Sequence, residues 1–136
     1  MITEFEEKYI DVLQNIECAL LSTLKDHPAL CDHDMLRVIE QILTHYEFPQ
    51  NSNTPTLQSK LTLPQIEIFE RVASICNWRL GLAPLYADDD TEMTCAPIAR
   101  EEIVLCLKRI KKSIIFWTKN GGRRGYITFA APRALV

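Results

Sequence analysis

The 136-residue chain is 47% apolar and 24% charged, the composition of one folded globular domain, which excludes a disordered polymer. No run reaches the roughly 18 uncharged apolar residues of a membrane span, so no membrane association is expected. The net charge of -3 hides a split: positions 1–102 hold all 18 acidic residues against 7 basic ones, and positions 103–136 hold the other 8 basic residues and no acid.

The opening Met1-Ile2-Thr3-Glu4-Phe5-Glu6-Glu7 is acidic where a signal peptide would be basic. Five cysteines, spaced by 13, 45, 19 and 11 residues, make no C-x-x-C pair and no disulfide framework. Both features point to reduced thiols and a cytoplasmic protein. From Ile2 to Leu24 the residues Phe5, Tyr9, Val12, Leu13, Ile16, Ala19, Leu20 and Leu24 recur at three- and four-residue steps, predicting a long amphipathic helix. Thr3, with Glu6 three residues later, offers a capping box. Ile10 and Leu21 fall off the main stripe, close to one another in angle, and hint at a second apolar edge.

Lys25-Asp26-His27-Pro28 breaks the pattern, because the residue before a proline is pushed out of helical conformation. So short a connector favours an antiparallel neighbour. The second helix is predicted to start with Asp32 or Asp34 as N-cap and to turn Met35, Leu36, Val38, Ile39, Ile42, Leu43 and Tyr46 inward, ending before Pro49. Residues 49–62 are polar, aperiodic and proline-punctuated, a surface loop. Thr62 then N-caps a third helix with Pro64 in its first turn, Ile66, Phe69, Val72, Ala73, Cys76 and Leu80 as its stripe, and Gly81 as its stop. Leu82 to Pro97 is a second long connector, in which Leu82, Leu85 and Tyr86 are expected to pack down ahead of the acidic run Asp88-Asp89-Asp90-Thr91-Glu92.

The fourth helix, from Pro97 onward, places Ile103, Cys106, Leu107, Ile110, Ile114 and Trp117 within one arc of about 100°. Lys108, Arg109, Lys111 and Lys112 take the far side, yet Val104, Leu105, Ile115 and Phe116 lie among them. A monomer's solvent face does not need four such residues. Asn120-Gly121-Gly122 supplies a C-cap, with Lys119 near the negative end of the dipole. The following Tyr126-Ile127-Thr128-Phe129-Ala130-Ala131 suits either a strand or a short helix cut by Pro132; a helical turn docked on the bundle is preferred, since a lone strand would have no partner. The sum is an all-α protein: a four-helix up-and-down bundle, one domain over residues 1–136, with two long loops and a short C-terminal extension.

Tyr9-Ile10-Asp11-Val12-Leu13-Gln14-Asn15-Ile16-Glu17, Cys106-Leu107-Lys108-Arg109-Ile110 and Trp117-Thr118-Lys119-Asn120-Gly121-Gly122-Arg123-Arg124-Gly125-Tyr126 resemble a family of small, uncharacterised, helical bacterial proteins. The resemblance covers the helices and not the two loops. It implies a helical end to the chain and carries over no catalytic residue.

Few residues suggest chemistry. His27, Cys31 and His33 are of the right types for zinc, but their spacing matches no closed four-ligand pattern, and the same stretch serves as an interhelix turn. His45 sits at a polar edge and reads as a surface residue. Asp88-Asp89-Asp90 with Glu92 could offer hard oxygens to a divalent cation, but lacks the alternating ligands and central glycine of a calcium-binding hand. Gly121-Gly122-Arg123-Arg124-Gly125 follows a helix, where phosphate loops precede one. No catalytic or cofactor motif is present, so neither a catalytic residue, a metal nor a cofactor is assigned.

Two interaction surfaces remain. Ile10, Leu21, Leu105 and Phe116 are the candidate contacts of a homodimer, with Cys18 a packed interface thiol. Lys108, Arg109, Lys112, Arg123 and Arg124 are candidate contacts for nucleic acid or another polyanion, against which the acidic whole argues. A non-catalytic protein-interaction or structural module acting as a homodimer is the expectation. Polyanion binding through residues 108–133 is the alternative, and a metal-dependent enzyme stands third.

Overall fold

The computed structural model describes residues 4–48 and 60–119, apart from the side chain of Glu6. They form four helices: α1 (Glu4–Asp26), α2 (Asp32–Glu47), α3 (Leu63–Arg79) and α4 (Arg100–Lys119). The expected all-α four-helix bundle is therefore present. Thr3 and the segment from Asn120 onward, where a cap and a helical turn were expected, lie outside the described residues.

Local chemistry explains most helix ends. Cys31, and not Asp32 or Asp34, is the N-cap of α2, because the Asp34 carboxylate reaches back to accept the Cys31 N–H at 3.2 Å. Thr62 caps α3 as expected, with Gln65 Oε1 accepting its N–H at 2.9 Å. Gly81, at φ +76°, ends α3 in a Schellman arrangement: Leu82 N–H donates to Asn77 O at 2.8 Å and Gly81 N–H to Trp78 O at 3.0 Å. Helix α4 begins three residues later than Pro97, with Glu102 Oε1 accepting the Ala99 N–H at 3.1 Å.

Paired side chains set the helix directions. Arg71 of α3 donates to Thr23 at 2.8 Å near the end of α1, and Arg79 to Asp11 at 2.5 Å near its start, so these helices are antiparallel. Lys108 meets Glu47 at 3.1 Å and Lys111 meets Glu40 at 3.8 Å, so α2 and α4 are antiparallel too. Gln65 donates to Asp34 O at 3.5 Å and Tyr46 to Asn77 at 2.5 Å, both pairs 31 residues apart; α2 and α3 are parallel. Lys8 and Glu102, 3.6 Å apart, join the starts of α1 and α4, which are parallel. Taking α1 as up, the order is up, down, down, up, so the bundle does not alternate strictly.

The closely packed pairs are α2 with α4, α1 with α3, α2 with α3 and α1 with α4. Consecutive helices α1 and α2 are therefore diagonal, and not the neighbours their short connector suggested. The turn between them faces α3 instead, where His27 meets Glu67 at 2.9 Å. Because α2 and α3 are parallel, the end of α2 and the start of α3 lie at opposite ends of a helix about 24 Å long.

The fourth helix's six stripe residues are all buried, as are Tyr9, Val12, Leu13, Ile16, Leu20 and Leu24 of α1. Each such aliphatic side chain contributes on the order of 1.5–3 kcal/mol by leaving water. On α3 burial is wider than its stripe, taking in Ile68, Ile75 and Trp78 while Ile66 and Leu80 are only half-buried. Ile68 and Ile75 join the bundle's core, while the 80–99 connector folds back over the end of the helix at Trp78: its Nε1–H donates to Met93 O at 3.0 Å, and Ile98 N–H donates to Arg79 O at 2.9 Å.

Candidate interaction surface

The turn between α1 and α2 does not gather its ligand-type residues. His27 is engaged by Glu67, the Cys31 thiol donates to Asp34 Oδ2 at 3.3 Å, and His33 is exposed. Among the described residues no three His, Cys, Asp or Glu side chains stand where they could hold a metal ion. The acidic run is a tight turn: Ala87 N–H donates to Thr91 O at 2.8 Å, and Asp90 takes the left-handed conformation at φ 63°. Hydrogen bonds from Thr91, side chain and then backbone, hold the Asp89 carboxyl below the usual range.

The basic face of α4 is partly neutralised from within. Lys108 and Lys111 meet Glu47 and Glu40 of α2, and Arg109 donates to Ser113 at 2.7 Å. Lys112 is exposed. Arg123 and Arg124 lie outside the described residues. Cys76 and Cys106 are fully buried, and desolvation pushes both thiols up, Cys106 to about 12. They are protonated at neutral pH and are not nucleophiles. Cys18 is exposed.

Ile10 and Leu21 of α1 and Phe116 of α4 fall on one flank, and Leu105 stands at its outer edge, beside α2. With steps of 100° from Tyr9 on α1, Ile10 and Leu21 sit at about 100° and 120°, on the side away from the α3-facing Thr23 and Asp26. On α4, Phe116 lies about 40° from Glu102, which faces α1, whereas Leu105 lies about 60° from Glu102 and about 60° from Lys108, which meets Glu47 of α2, and so points outward between the two sides. Leu105 stands 95 residues after Ile10, and Phe116 stands 95 after Leu21. The Lys8–Glu102 pair, 94 residues apart across a kink at Tyr9, brings the starts of α1 and α4 together, so Ile10 lies near the level of Leu105 and Leu21 near that of Phe116.

Their exposure differs. Leu105 is 50% exposed, whereas Ile10, Leu21 and Phe116 are half-buried against the chain's own core. The bundle thus absorbs part of the apolar surface that seemed surplus. Val104 also packs down.

A second apolar surface has no counterpart in the sequence reading. Leu82 and Tyr86 do not pack down; with Met93 and Phe48 they are exposed at the end of the bundle where α2 and α3 finish. Trp78, Gly81, Leu82, Pro84, Tyr86 and Met93 line an open depression of about 470 Å³ there. A second, of about 410 Å³, is lined by Tyr46, Glu47, Arg100, Glu101, Val104 and Leu105, so Leu105 borders both the flank and a depression. No periodic signal marks the 80–99 connector, and its aromatic and methionine content is the one clue the sequence holds.

No protein-family profile, curated protein or solved structure matches the chain. No helix among the described residues is long and apolar enough to cross a membrane.

Proposed function

We propose that the chain is a non-catalytic, cytoplasmic interaction module that acts as a homodimer through the flank shared by α1 and α4. What supports this is the incomplete cover of Ile10, Leu21 and Phe116 by the chain's own core, with Leu105 nearby and half out in solvent. Apolar residues so grouped form a self-complementary patch, which a two-fold dimer requires. The five free thiols accord with a reducing compartment. Membership of a family of small helical bacterial proteins belongs to the same proposal.

Leu105→Glu with Phe116→Glu is the test. In size-exclusion chromatography at micromolar concentration the variant elutes later than wild type if the flank is the contact. Coincident elution of the two proteins, with equal stability, would overturn the reading. Polyanion binding has less support, because Glu47 and Glu40 already face Lys108 and Lys111. Salt-sensitive retention on immobilised duplex DNA, lost on Arg123→Ala plus Arg124→Ala, would restore it.

A further inference from the structure

We infer that the open depression where α2 and α3 finish docks a basic peptide segment, one that carries arginine beside a bulky apolar residue. This surface is separate from the α1 and α4 flank, and its role does not depend on dimerisation there. One wall is a tight turn tied back to α3. Met93 N–H donates to Leu85 O and Ala87 N–H to Thr91 O, each at 2.8 Å, while Trp78 Nε1–H donates to Met93 O at 3.0 Å. Between those two backbone bonds, Tyr86 and Glu92 face one another as an antiparallel bridge. Such a pair sets its side chains close together on the same side of the turn. Both residues are exposed and both line the depression. A phenol ring beside a carboxylate suits a guanidinium, whose plane lies on the ring while its N–H groups reach the carboxylate. Leu82 and Met93, exposed alongside, offer apolar surface to the neighbouring side chain of the same peptide.

Charge selects the occupant. The connector over residues 80–99 holds Asp88, Asp89, Asp90 and Glu92 and no lysine, arginine or histidine. All four carboxylates are exposed. Nucleic acid and an anionic membrane surface are repelled by such a rim. A two-fold contact between copies at this patch would set the same carboxylates against one another, with no cation in the connector to relieve them. A basic segment meets the rim with opposite charge and the floor with its apolar side chain. The volume of about 470 Å³ falls within the range of small binding clefts, on the order of 300–1,000 Å³.

The test is a fluorescence-anisotropy titration of the full chain into a labelled synthetic peptide of alternating arginine and leucine. Binding should saturate at about 50 mM salt and weaken about tenfold at about 500 mM. Tyr86→Ser should weaken it by about fivefold, and Asp88→Asn, Asp90→Asn and Glu92→Gln together by about tenfold. The triple variant keeps Asp89, which accepts the Thr91 N–H at 3.1 Å, and asparagine tolerates the left-handed backbone at position 90. Thermal midpoints should match that of wild type, because every altered side chain is exposed. A peptide with glutamate in place of arginine should not bind, and one with serine in place of leucine should bind more weakly. Absence of saturable binding at low salt, equal binding by both variants, or equal binding of the glutamate peptide would overturn the inference. So would a sedimentation mass that falls on Tyr86→Ser, which would give this end surface to a second copy.

Discussion

The side chain of Arg79, at the last turn of α3, is only 9% exposed, and its guanidinium donates to the Asp11 carboxylate of α1 at 2.5 Å. The ion pair ties the end of one helix to the start of its antiparallel neighbour. Its two sides are unequal, because the Asp11 side chain remains 55% exposed. Asp11→Asn leaves the arginine charge buried without its counterion. We expect a loss of about 1–3 kcal/mol, below the full cost of breaking a wholly buried pair because water still reaches this edge. Arg79→Met, which removes the buried charge, should cost less than Asp11→Asn. Urea denaturation with unchanged slope measures both, and the reverse ranking would refute the role given to the pair.

Tyr46 and Asn77 make the buried hydrogen bond that links the parallel α2 and α3. Tyr46→Phe should destabilise the bundle by about 1–3 kcal/mol, since the Asn77 oxygen loses its buried donor. A double-mutant cycle with Asn77→Leu should show coupling above ~0.5 kcal/mol. Strict additivity would mean that the two side chains do not pair.

Gly81 has room for a methyl group, its nearest prospective neighbour being Pro97 at 3.6 Å, but not the backbone conformation for one. Gly81→Ala should therefore cost about 1–2 kcal/mol from left-handed strain alone. Equal thermal stability of the variant would show that the helix end relaxes.

Burial raises the thiols of Cys106 and Cys76. Above a pH of about 8.5 the unfolded chain releases protons that the folded chain keeps. The unfolded state then binds fewer protons, so stability is full below that pH and falls as pH rises toward 12, by up to about 1.4 kcal/mol per pH unit for each thiol. Denaturation midpoints at pH 7, 8, 9 and 10 should show the decline, and Cys106→Ala should have a shallower one. Parallel curves would place the thiol in contact with water.

Much of this bundle was legible because its helices obey local rules. The α4 stripe from Ile103 to Trp117 is buried residue for residue, Thr62 caps α3, and Gly81 ends it. What escaped is non-local. Trp78 packs under a connector that lacks periodicity, and the diagonal placement of α1 and α2 depends on which stripes fit together and not on the length of the turn. At the flank, helical angles gave the directions of Ile10, Leu21, Leu105 and Phe116, but not how far the bundle's own core would cover three of them. The end surface formed by Leu82, Tyr86 and Met93 was hidden for the same reason as the burial of Trp78.

Self-association is most directly measured by sedimentation equilibrium of the wild-type chain over a dilution series from 100 to 1 µM, concentrations of order set by ordinary dimer affinities. A mass near twice the 15.6 kDa of one chain at the upper concentrations, falling on dilution or with Leu105→Glu, is the expected result. A mass of one chain at every concentration would contradict it.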